Sequence, residues 1–185
     1  MKIINAKRNV GLAIALAVAA FVSLGAGSAL AGEKGYGPDL PWGCSAIEVP
    51  AGNSLAFHAY AAGVQVYRWN GSQWAFVAPD AGLFADPSYR RYVGSHFAGP
   101  TWMSRGGTSS VIAATAERCS PDAEAVAWLL LEATETEGYG IFGGTTFIQR
   151  ANTSGGLAPT IPGGSIGQQA RVPYTAEYYF YRADD

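Results

Sequence analysis

Residues 64–77 constrain the fold of this 185-residue chain more than any other stretch. Val64-Gln-Val-Tyr-Arg-Trp69 alternates, with Val64, Val66 and Arg68 on one face and Gln65, Tyr67 and Trp69 on the other. Asn70-Gly71 follows, and both residue types tolerate the positive φ that a tight hairpin turn demands. Gln73-Trp-Ala-Phe-Val77 then returns. The pairing brings Tyr67, Trp69, Trp74 and Phe76 into cross-strand aromatic contact.

Further segments of the same kind lie on both sides. Leu55–Tyr60 reads as a strand ended near Gly63, and Pro79–Pro87 as a loop or irregular turn. Arg91–Phe97 is a strand stopped by Gly99-Pro100, ahead of Trp102 and the polar turn Ser104–Gly107. Ser109–Glu117 is another strand. Residues 123–136 are ambiguous: Ser120-Pro121-Asp122 suits a helix start, but Val126–Leu131 is a short apolar run that suits a buried strand. Ile141-Phe142 and Thr145–Arg150 read as strands, and Ala151–Gly167 as a long polar loop. Val172–Arg182 alternates again, with Ala176, Tyr178 and Phe180 on one face and Glu177, Tyr179 and Tyr181 on the other. Many short strands between Gly/Pro turns predict an all-β domain, a single antiparallel β-barrel or β-sandwich.

The N-terminus is of another kind. Lys2, Lys7 and Arg8 precede an apolar run over Val10–Leu24, and Ala29-Leu30-Ala31 offers a cleavage site. Residues 1–31 therefore read as a secretory signal peptide, 32–50 as an irregular lead-in and 51–185 as the β domain. Removal of the first 31 residues would leave 9 basic against 14 acidic side chains. That balance argues against nucleic acid, and against a membrane surface beyond the signal peptide, since both demand a basic face. Cys44 and Cys119 would most simply form a disulfide in an oxidising, secreted or periplasmic setting; the alternative is two unlinked thiols.

Apparent motifs for chemistry lack their context. Gly138-Tyr-Gly140-Ile-Phe-Gly143 matches a dinucleotide fingerprint, but a strand-like segment follows it where a helix is required. Gly163-Gly-Ser165-Ile-Gly167 matches a nucleophile elbow, but no histidine follows it in the chain. The two histidines, His58 and His96, offer too few ligands and no spacing for a metal site, so none is assigned, nor any cofactor. No catalytic residue is assigned. Trp102 would suit the core or a stacking platform. Gln149, Arg150 and Asn152 form the densest polar cluster, able to bind a carboxylate or sugar hydroxyls, or else to satisfy loop backbone.

Six segments appear in a characteristic order: Gly63–Tyr67, Trp74–Pro79, Gly94–Trp102, Trp128–Leu131, Gln149–Gly156 with Pro159, and Val172–Tyr181. Together they resemble the domain-of-unknown-function family numbered 3455, a group of secreted bacterial and fungal proteins. The resemblance implies an exported β-rich domain and brings no catalytic residues with it. It also implies a cysteine near Trp69 and another near Gly163–Gly164, and this chain has neither, so a Cys44–Cys119 bond would be a different staple. Relatives place proline where this chain has Ala127, which favours a strand over a helix interior at Val126–Leu131. The expected function is a non-catalytic binding or structural module of the cell envelope or exterior. Its partner would be a small molecule, a glycan or an envelope component. The alternative is a small hydrolase- or isomerase-like enzyme with a pocket formed by His58, His96 and Arg150. Those two readings part on whether the histidines share one concavity.

Overall fold

The computed structural model describes Met1 and residues 36–185. The signal-peptide expectation falls outside those residues. Eight strands follow one another in sequence: β1 Asn53–Trp69, β2 Trp74–Phe84, β3 Tyr92–Phe97, β4 Thr101–Ser104, β5 Ser109–Cys119, β6 Trp128–Gly138, β7 Phe147–Gly155 and β8 Gln169–Ala183. Each pairs antiparallel with the next, and β8 pairs back to β1, so the sheet is a closed up-and-down barrel. Closure removes most of the free edge that a sandwich would retain, leaving stretches such as those of β2 and β5 beyond the short β3 and β4. Among the described residues no helix is long and apolar enough to cross a membrane.

The first hairpin forms as expected. Tyr67 faces Phe76 and Trp69 faces Trp74, with ring centroids 5.7 and 5.5 Å apart. Asn70 holds the turn with its side chain, whose oxygen accepts hydrogen bonds from the Ser72 and Gln73 amides. The alternation of β8 also holds. Ala176, Tyr178 and Phe180 enter the barrel core, while Tyr179 and Tyr181 join a second cluster on the outer face.

Several expectations are corrected. Leu55–Tyr60 and Val64–Trp69 are one strand, because Gly63 marks a close approach and not a turn: a Cβ there would collide with the Asp80 carbonyl and Ala81 of β2. Pro79–Phe84 is not a loop but the second half of β2. Pro79 is tolerated because β3 pairs only with Ala81–Phe84, leaving that part of β2 with one neighbour. Ile141-Phe142 is a turn, with Phe142 buried as a plug in the end of the barrel. The long loop expected over Ala151–Gly167 begins only after Gly155, since β7 runs on through 151–155 past a bulge. Residues 123–125 turn, with the Glu124 amide donating to Asp122, and a strand begins at Trp128.

Small residues on the inner face of β1, Ala59, Ala61 and Gly63, leave room for the large rings of Trp102, Tyr178 and Phe180. Such a small-against-large arrangement fills an eight-stranded barrel. One end is filled by Phe57, Phe142, Phe180 and Ile148, with the three rings in mutual contact. Outside, residues 40–49 with a 3₁₀ turn at Ser45–Ile47 pack on β6–β8. The Cys44–Cys119 disulfide pins this strap, with Cα atoms 5.4 Å apart.

Candidate functional site

Sequential up-and-down connections put the β1–β2, β3–β4, β5–β6 and β7–β8 turns at one end of the barrel. At that end the wall is incomplete. β2 continues as Trp74–Asp80 beyond its last residue paired with β3, and β5 continues as Ala113–Cys119 beyond its last residue paired with β4. The short β3–β4 hairpin, with its turn at Ala98–Pro100, stops below both. A notch results, flanked by exposed Phe76 and Val77 on β2 and Thr115 on β5, with Gly99 and Pro100 at its base.

The notch leads to a cavity of about 130 Å³ inside the barrel. Leu129 and Leu131 of β6, Arg150 of β7 and Tyr178 of β8 form its far wall; Gln65, His96 and Trp102 complete it. Register explains the grouping: Leu129 faces Arg150, Arg150 faces Tyr178, and His96 faces Trp102 across adjacent strands.

His96 lies flat on Trp102, centroids 4.1 Å apart, and Tyr178 meets both rings edge-on. The His96 Nδ1–H donates to the Thr101 carbonyl at 2.9 Å, because a carbonyl can only accept. The neutral ring therefore presents Nε2 as an acceptor. Burial holds its pKa down to about 3, against the smaller upward pull of that hydrogen bond. Tyr178 is raised above its ordinary value, mainly by burial, with the Arg150 charge opposing.

Arg150 donates from Nε and Nη2 to the Ala127 carbonyl at 3.0 and 2.7 Å. Among the described residues no carboxylate pairs with it. Among the described residues, three further residues that line the cavity carry a buried polar atom outside hydrogen-bonding geometry: Trp102 Nε1, Gln65 Nε2 and the Tyr178 hydroxyl, the last lying beside Arg150 and Tyr174. Buried donors are almost always satisfied in folded proteins, and leaving one unmade costs about 1–3 kcal/mol.

The other sequence candidates lie elsewhere. His58 is on the outer face of β1, stacked on Tyr179 at 4.1 Å, with Nε2 2.8 Å from the Glu177 carboxylate. Its pKa is lowered by burial, against the opposing pull of Glu177. The trio His58, His96 and Arg150 thus does not share a pocket. Gln149 also points outward, where its Nε2 donates to the Ile47 carbonyl at 2.7 Å and its oxygen accepts from Tyr181, clasping the strap to the barrel. Asn152 is exposed at the β7 bulge, with φ 47°. Sequence reasoning missed Gln65 and Tyr178 as cavity residues. The signal was present: both are polar-tipped residues on the inward phase of strands whose alternation was legible.

The fold and the cavity define a closed eight-stranded antiparallel barrel with a partly open interior pocket. The chain belongs to the family described as "Protein of unknown function (DUF3455)", which matches residues 50–182. No curated protein and no solved structure matches it.

Proposed function

We propose that this protein is an extracytoplasmic, non-catalytic binding module that holds a small molecule inside its barrel. One observation carries the reading: a cavity of about 130 Å³ lined by Arg150 and by residues whose buried donors have no hydrogen-bond partner among the described residues. A cavity of about 150 Å³ accommodates a benzene-sized molecule, so the space, which opens through the notch, suits a ligand built on about one such ring. Apolar walls with a few convergent polar groups are the usual composition of small-molecule sites. The polar groups are suited to recognition: donors, one fixed cation and a histidine held neutral. The export reading is supported by the signal-like N-terminus and by the disulfide, a bond that persists in oxidising compartments.

The test is a nuclear magnetic resonance titration of the disulfide-bonded protein with small aromatic probes such as benzyl alcohol. Saturable shifts confined to His96, Trp102, Arg150, Tyr178 and their neighbours are expected. Shifts confined to the outer strap, or none at all, would count against an interior site.

A further inference from the structure

We infer that the cavity takes a small monocarboxylate with a flat or branched apolar body, its carboxylate at Arg150 and its body between Trp102 and the Leu129–Leu131 wall. This deepens the interior-site reading and rests on it.

Charge and hydrogen-bond balance both favour an anion in the cavity. Arg150 is partly buried, carries a charge that cannot be shed, and has no carboxylate partner among the described residues. Both of its hydrogen bonds go to one neutral carbonyl, Ala127 O, which leaves Nη1 without a protein partner among those residues. A buried charge lacking a counter-ion is unfavourable, and an entering anion would offset it. The surrounding unpaired atoms are of matching sense. The Trp102 indole N–H can only donate, the Gln65 Nε2 donates, and the Tyr178 hydroxyl can donate. All three belong to residues no more than 2 % exposed. Arg150 and these three residues line one cavity, and the lone pairs of a carboxylate can accept from several donors there.

The remaining lining decides between anions. A phosphate or sulfate dianion would bring a second charge to a site with a single cation. It would also set polar oxygens against Leu129, Leu131 and Pro79. A monocarboxylate matches the one charge, and its apolar body covers those walls. The lining holds no acidic side chain to repel it. His96 does not add a second positive charge, since its ring is neutral, and its Nε2 can accept from a hydroxyl on the ligand body. Entry is through the notch above Gly99-Pro100, where the exposed Phe76 and Val77 offer an apolar approach.

Benzoate and benzamide are near-isosteric and differ in charge, so they form the decisive pair for calorimetric titration at neutral pH. Benzoate is expected to bind at least about tenfold more tightly, as a bidentate arginine–carboxylate pair would give. Arg150→Gln should remove that preference, and Arg150→Lys, which keeps the charge, should retain part of it. Equal affinity for the two probes would overturn the carboxylate inference and leave an interior site standing. A benzoate preference that persists in Arg150→Gln would overturn it too, since the anion would then be held elsewhere. Binding of neither probe to the wild-type protein would overturn the interior-site reading along with it. The wild-type comparison decides even if Arg150→Gln fails to fold.

Discussion

His96 is where protonation and folding are most tightly linked. Its folded pKa lies near 3 and its unfolded value near 6.5, so the unfolded chain takes up the proton first as pH falls. The stability it contributes is complete above about pH 6.5 and drains as pH falls from there toward 3, by about 1.4 kcal/mol per pH unit. Denaturant unfolding measured between pH 6.5 and 5 should show that slope. His96→Asn keeps a donor for the Thr101 carbonyl but has no titrating ring, so its slope should be flatter by about that amount. His58 also titrates low, but it is common to both proteins and cancels in the difference. Equal slopes would mean that His96 is solvated. From sequence, His96 was legible as a residue of interest because it stood beside a Gly-Pro turn. What could not be read was its companion: only the β3–β4 register stacks it on Trp102 and turns the hairpin tip into the base of an entrance.

Among the elements, β1 depends most on a single position. Gly63 lies where its backbone nearly touches β2, and Gly63→Ala should destabilise the protein by about 1–3 kcal/mol through overpacking, read as a shifted denaturation midpoint. A neutral outcome would mean that β2 can move aside. The strap is a second element with a defined anchor. Its disulfide closes a separation of 75 residues, so Cys119→Ser should cost up to about 4 kcal/mol in the chain-entropy account. The strap should then show faster amide exchange than β7 and β8 beneath it; unchanged exchange would mean that Gln149 and the apolar contacts hold it unaided. Although β1 runs back to Asn53 and β8 to Gln169, beyond the bounds expected, the alternation of β8 and the turn of the first hairpin were legible. The second half of β2 and the end of β7 were not, because proline and glycine punctuate turns as well as strand edges and bulges. Gly163 backs directly onto the Trp69 ring, where a Cβ would collide with the indole.

For the whole molecule, sequence could name the class and not the closure. The many short strands read from sequence are equally compatible with a sandwich, and only the long β1–β8 ladder makes a barrel. Closure then creates the property on which the functional reading depends, an inside. The large inward residues fill one end, and the shortness of β3 and β4 leaves the other end notched and partly empty. Arg150 was singled out from sequence for its polar neighbours Gln149 and Asn152, yet strand alternation sends Gln149 outward and Arg150 inward, against Tyr178 and Leu129, and the β7 bulge exposes Asn152. The most direct test of an interior ligand site is a crystal structure of the protein grown with benzoate. Density for the ring beside Trp102, with its carboxylate on Arg150, is the predicted result. A cavity containing ordered waters alone at saturating benzoate would contradict it.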